Sequence, residues 1–108
     1  MFPHGRNHNL LEELEMLFTE KQLQYDYDKS NDILYCSFAD KSNSYGDEYP
    51  DNIIIMRDLC SNDITGVTVL NVFRMIREKD GRLSVLKKYI NQDAIFLIFE
   101  RIVSVYKN

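Results

Sequence analysis

A chain of 108 residues with 44 % apolar and 28 % charged side chains has the surface for one hydrophobic core and little room for two. That composition lies far from the polar, highly charged make-up that keeps chains disordered. A formal net charge of −4 argues against a dedicated nucleic-acid domain, and no apolar run approaches the roughly 20 residues that span a bilayer.

The charge is unevenly spread. Residues 1–24 carry −2, residues 25–63 carry −6, and residues 72–108 carry +4. Such a two-ended chain can steer charged partners or simply solvate two faces differently. The start MFPHGRNHN lacks the basic and apolar regions of a secretory leader, so the expected location is cytoplasmic. Cys36 and Cys60, the two cysteines, offer no disulfide framework or zinc spacing. Both are read as reduced, Cys36 as a small core residue.

Residues 1–8 read as a flexible N-terminus. Asn9 and Glu12 form a capping pair for a helix over 9–22, in which Leu10, Leu14, Leu17 and Phe18 make one apolar stripe. From Leu23 the period changes to two: Leu23, Tyr25 and Tyr27 face one way, Gln24, Asp26 and Asp28 the other. The DKSND turn then leads into a second strand, Ile33 to Phe38, and the pair reads as an antiparallel hairpin.

Asp40 to Asn52 reads as the long connection of a second hairpin, with turns set by Gly46 and Pro50. Asn52 to Arg57 follows as a strand apolar on both faces, suited to a central or covered position. After the turn LCSND, Ile64 to Val72 makes a fourth strand, where Gly66 signals a bulge or a close backbone approach.

The remaining residues, 73–108, read as a helical extension. A break at Asp80-Gly81 separates Val72 to Ile76 from a second segment capped by Asp80 or Ser84. Asp93 can cap a last helix, whose residues Ile95, Phe96, Phe99, Ile102, Val103 and Tyr106 form an apolar face; β-branched content leaves a strand as the alternative. The expected fold is a single α+β domain. A four-stranded antiparallel meander over 23–72 stands between an N-terminal helix and C-terminal helices packed on the sheet.

The stretches YDYDKSNDILYCSFAD, DEYPDNIIIMRD and ITGVTVLN resemble domain-of-unknown-function family 2283, a small β-domain with a Tyr-Asp-x-x-x-Asp-x-Leu-Tyr opening and a Gly-Ile/Val-x-Ile/Val-Leu-Asn close. The matching positions are Tyr27, Asp28, Asp32, Leu34 and Tyr35, then Gly66, Val67, Val69, Leu70 and Asn71. The resemblance covers residues 25–72 and implies the β-fold. It carries over no catalytic residue, because the family defines none; members in gene pairs suggestive of toxin and antitoxin imply an inhibitory partner role. The N-terminal helix, the extension after residue 72 and the turn LCSND depart from the family pattern.

Chemistry-bearing clusters are sparse. Asp26, Asp28, Ser30 and Asp32 imitate the first half of a calcium loop, but Asn31 and Ser37 occupy the places of its Gly and bidentate Glu. His4 and His8 have metal-clamping spacing in a stretch broken by Pro3 and Gly5. Asp47, Glu48 and Asp51 are three carboxylates without a neighbouring base. No catalytic residue, cofactor or metal is therefore expected. Tyr45, Asp47, Glu48 and Tyr49 are the candidates for contact with another protein, as exposed aromatic and acidic residues on a loop. The apolar face of 94–106 is a candidate homodimer surface. The alternative is a nucleic-acid or small-ligand binding protein using the basic C-terminal helices, with Arg74, Arg77, Arg82, Lys87 and Lys88 as the nucleic-acid contacts. Function is expected to be non-enzymatic: a protein-interaction module, antitoxin-like or otherwise inhibitory.

Overall fold

The computed structural model describes residues 23 to 39 and 43 to 107. Strands β1 (Gln24–Asp28), β2 (Ile33–Ser37), β3 (Ser44–Glu48), β4 (Ile53–Asp58) and β5 (Ile64–Leu70) precede a short helix α1 (Val72–Arg77). A 3-10 helix (Gly81–Lys88) and the long helix α2 (Gln92–Lys107) complete the order. The fold is α+β, with an antiparallel sheet and C-terminal helices, and the segment 94–106 is helix, not strand. The expected helix over 9–22, His4 and His8 lie outside the described residues.

Among the described residues the sheet has five strands in the order β1-β2-β5-β4-β3, all antiparallel. This corrects the four-stranded meander in two ways. β5 inserts between β2 and β4, so the three hairpin-linked strands β3, β4 and β5 and the returning β2 make a Greek key. Also, the supposed loop Asp40 to Asn52 contains an edge strand, β3. Its residues SYGDE, four of the five exposed, lack apolar alternation because an edge strand here buries neither face.

The register sorts side chains into two faces. Across one row run Tyr25, Cys36, Val67, Ile55 and Asp47, and across the next Tyr27, Leu34, Val69 and Ile53. Leu34, Cys36, Ile53, Ile55, Val67 and Val69 are all at most 5 % exposed. They share the core with Met75, Leu86, Ile90, Ala94, Ile95, Ile98 and Ile102 of the helical extension. Each buried Leu, Ile, Val or Met among them contributes about 1.5–3 kcal/mol. The opposite face carries Asp26, Tyr35, Thr68, Ile54 and Glu48 in one row, and its apolar members are only half buried.

Gly66 meets both sequence expectations. β5 is irregular against β4, where Met56 pairs with Gly66 and Arg57 with Ile64, leaving Thr65 as the bulged residue. A Cβ on Gly66 would lie 2.4 Å from the Cys36 carbonyl oxygen, so β2 and β5 close here only over a bare backbone. The bulged Thr65, 4 % exposed, shares a 2.9 Å hydroxyl hydrogen bond with Ser44 of β3.

Candidate functional site

The β1–β2 turn is densely hydrogen-bonded. Asp28 accepts the Asn31 side-chain amide at 2.8 Å and its backbone N–H at 3.3 Å, contacts that hold its carboxyl below the usual range. Asp32, in a left-handed conformation with φ 57°, accepts the Tyr27 hydroxyl at 2.8 Å. Burial, and then donation to the Asp32 carboxylate, push the Tyr27 phenol upward. The same carboxylate accepts Phe73 N–H at 2.8 Å and Arg74 N–H at 3.3 Å, and the Asp32 carbonyl accepts Val72 N–H at 3.2 Å. Asn71, also left-handed at φ 57°, precedes α1 but makes no side-chain cap, so Asp32 supplies it from across the sheet. Two carboxylates of the half calcium loop are accordingly engaged in the turn and the helix cap, Asp28 by Asn31 and Asp32 by Tyr27 and the α1 backbone.

The four partner-contact candidates are brought to the β3 edge but not to one surface. Tyr45 and Asp47 share the row direction of Arg57 and Ile55 on the helix-bearing face, while Glu48 points to the other face. Tyr45 is 39 % exposed and donates its hydroxyl to Asn62 in the β4–β5 turn. Glu48 accepts Asn52 N–H at 2.8 Å and so braces the turn after β3. That turn contains the cis Tyr49-Pro50 bond and Asn52 at φ 76°, and it presents Tyr49 at 80 % exposure. Asp47 and Tyr49 therefore remain the residues most available to a partner. Gly46 leaves space that Ile54 Cγ2 and Met56 Sδ occupy, at 2.8 and 3.3 Å from where its Cβ would be.

The neighbouring turn is pinned by Asp58, which accepts Cys60 and Ser61 N–H groups at 2.9 Å each and the Ser61 hydroxyl at 3.3 Å. The Ser61 and Cys60 N–H groups hold the Asp58 carboxyl below its ordinary range. Cys60 is exposed and Cys36 buried, and neither forms a disulfide. Among the described residues no three His, Cys, Asp or Glu side chains are grouped to hold a metal, and Asp47, Glu48 and Asp51 do not converge.

The basic candidates are dispersed. Arg82 pairs with Asp80 at 2.6 and 3.0 Å and donates to the Asp51 carbonyl at 3.3 Å. The Arg82 contacts hold Asp80 down at about 2. Asp80 also accepts Arg82 N–H at 2.9 Å and caps the 3-10 helix, as its sequence position suggested. Arg77 lies over the Phe73 ring, with its guanidinium 5.7 Å from the centroid, and Phe73 stacks on Tyr106 at 3.9 Å. Arg74, Lys87 and Lys88 are exposed. The last helix starts one residue before Asp93, and Asn91 rather than Asp93 accepts the cap hydrogen bond, from Asp93 N–H at 2.8 Å.

Two apolar grooves flank α2. One, of about 250 Å³, lies against β1 and includes Tyr25, Tyr27 and Arg101, whose guanidinium donates to the Tyr25 hydroxyl at 2.9 Å. The other, of about 590 Å³, is lined by Ile76, Phe96, Phe99, Glu100, Val103 and Ser104. Ala94, Ile95, Ile98 and Ile102 bury one face of α2, so the expected apolar face of 94–106 is in fact two, and Phe96 is 60 % exposed on the second. No helix among the described residues is long and apolar enough to cross a membrane. The chain matches no family model, no curated protein and no solved structure.

Proposed function

We propose that this protein is a non-enzymatic, cytoplasmic interaction module that binds and inhibits another protein through β3 and the turn that follows it. One observation carries the reading: β3 pairs with β4 on one side and with no described strand on the other. Its Asp47 is exposed and the adjoining Tyr49 is 80 % exposed. An open edge offers backbone donors and acceptors to an added strand, and side chains on it select the partner. Here Asp47, Glu48 and Asp51 favour a basic strand, and Tyr49 supplies a large anchor at low entropic cost. The resemblance to domain-of-unknown-function family 2283 adds the toxin–antitoxin setting, in which an acidic surface occupies a basic one made for nucleic acid. Direct nucleic-acid binding draws less support, because Arg82 is committed to Asp80 and Asp51.

The test is affinity capture from the source organism with the full chain and with an Asp47→Lys, Tyr49→Ala variant. A partner retained by the wild type and lost by the variant supports the edge reading. Capture of the same partners by both, or of none by either, overturns it.

A further inference from the structure

Two backbone bonds, one at each end of the β3–β4 ladder, fix which groups of β3 remain unpaired. Asn43 accepts Leu59 N–H at 2.8 Å, and Tyr49 N–H donates to the Ile53 carbonyl at 3.0 Å. The odd-numbered positions from 43 to 49 therefore turn their N–H and C=O groups toward β4. Antiparallel pairing reverses this direction at each residue, so those of Ser44, Gly46 and Glu48 point out of the sheet. We propose that the strand added to β3 runs antiparallel to it, with an aromatic residue opposite Gly46 and basic residues opposite Asp47 and Glu48. The inference rests on β3 being the docking edge, and it names the partner's chemistry there.

The aromatic residue follows from what Gly46 leaves uncovered. Ile54 Cγ2 and Met56 Sδ of β4 lie 2.8 and 3.3 Å from where a Gly46 Cβ would be. Both side chains belong to the half-buried outer face of the sheet. Ser44 and Glu48, the other outer-face positions of β3, carry polar side chains, so the apolar face reaches the free edge at Gly46. A residue directly opposite Gly46 on an added strand points to that same face. A planar ring there lies across the glycine onto Ile54 and Met56, the arrangement by which aromatic residues compensate edge glycines. A ring against the Met56 sulfur is a favourable contact in itself.

The basic residues follow from the neighbouring positions. Asp47 and Glu48 are exposed, and β3 contains no Lys or Arg. Arg57, opposite Tyr45 on β4, is half-buried and donates to the Asn62 carbonyl at 3.3 Å. The complementary strand thus reads basic, basic, aromatic from its N-terminal side. A second copy of β3 fits poorly. Pairing about Gly46 would set glycine opposite glycine, leave Ile54 and Met56 uncovered, and gather the acids of both copies at one edge.

The probe is the blocked peptide Thr-Val-Lys-Arg-Phe-Thr-Val, titrated into the full chain. It should bind at least tenfold more tightly than the same peptide with Ala for Phe, or with Glu for both Lys and Arg. Amide exchange at Ser44, Gly46 and Glu48 should slow on binding, whereas that at Asp47 and Tyr49 should not change. In Gly46→Val, whose side chain screens Ile54 and Met56, the preference for Phe over Ala should fall below threefold. If that variant does not fold, Met56→Ala should lower the preference in the same way. Equal binding of the Phe and Ala peptides with the three amides protected overturns the inference and leaves β3 standing as the docking edge. A Phe preference that survives both variants does the same. Protection of other amides, or no binding of any peptide at millimolar concentration, also overturns it, and affinity capture then decides separately whether β3 docks a protein. Protection of the three amides without peptide, growing with protein concentration, would make a second copy the occupant and likewise overturn it.

Discussion

The carboxylate of Asp32 accepts the backbone N–H of Phe73 at 2.8 Å, so a residue in the first β-turn closes the N-terminus of a helix 41 positions later in the chain. The bond joins the β1–β2 corner to the sheet–helix junction after β5. It also explains why Asn71, next to α1, can adopt a left-handed conformation without capping the helix itself.

Asp32→Ala should therefore cost about 1–2 kcal/mol, the usual range for a lost N-cap. Alanine also tolerates φ 57° poorly, which adds to the loss. Asp32→Asn should cost less, since an amide oxygen still accepts one N–H and Asn visits the left-handed region readily. Urea unfolding of both variants checks the order. Faster amide exchange at Phe73 and Arg74, beyond the global change, would localise the effect to α1. Equal stability of the two variants would show that the cap contributes little.

Tyr27 gives the fold a specific alkaline response. Its phenol is raised above the ordinary tyrosine value of about 10, by burial first and then by donation to Asp32. A raised folded value means that the unfolded chain loses this proton first. The contribution is thus fully present below about pH 10 and declines as pH rises from there through the folded value. The unfolding free energy of Tyr27→Phe should accordingly fall less steeply between pH 10 and 12 than that of the wild type. Parallel curves would remove Tyr27 from the account.

Helix α1 ends with a left-handed residue, but that residue is Lys79, at φ 55°, and not a glycine. Asp80 N–H bonds the Met75 carbonyl at 2.9 Å and Lys79 N–H the Ile76 carbonyl at 3.1 Å, the paired bonds of a Schellman cap. Gly81, two positions later, has no positive φ, and a Cβ there would meet nothing within 4 Å. Lys79→Gly should stabilise the protein by about 1 kcal/mol, by relieving the Cβ clash of the left-handed region. Gly81→Ala should be neutral or stabilising by up to about 1 kcal/mol, through the unfolded chain. Thermal melts of the two single variants test both signs.

What the sequence disclosed follows the range of the forces involved. Period-two alternation marked β1 and β2, and the doubly apolar run Ile53 to Met56 marked an internal strand, because those patterns are local. β3 stayed hidden because an exposed edge strand imposes no alternation on Ser44 to Glu48. The insertion of β5 between β2 and β4 stayed hidden because pairing partners distant in sequence leave no local mark. The same holds for Asp32. Its place in a DKSND turn was visible, whereas its work as the cap of α1 depends on a contact that only the folded sheet creates. Of the four contact candidates, two, Tyr45 and Glu48, brace turns through Asn62 and Asn52, contacts between loop side chains and distant residues that leave no local mark in the sequence.

The tightest constraint in the sheet lies at Gly66, where β5 passes β2 beside the bulged Thr65. A methyl group at Gly66 would lie 2.4 Å from the Cys36 carbonyl oxygen and 3.3 Å from Ser37 Cα. Both are backbone atoms, so no side chain can swing away, and the two strands must separate. The packing partners then disturbed are Cys36 and Val67, paired across the same strands and at most 2 % exposed. Gly66→Ala should therefore destabilise by about 1–3 kcal/mol or more, the range for overpacking a dense core. Gly46→Ala crowds only Ile54 Cγ2 and Met56 Sδ, both side-chain atoms on a half-buried face, and should cost less. Cys36 supplies a second readout: in the wild type its thiol is buried, whereas Cys60 is exposed. A thiol reagent should modify Cys60 of the native protein quickly and Cys36 only through opening of the sheet. In Gly66→Ala the Cys36 reaction should accelerate at least tenfold with Cys60 unchanged. An unaltered Cys36 rate together with wild-type stability would mean that β2 and β5 do not approach at Gly66 as closely as described.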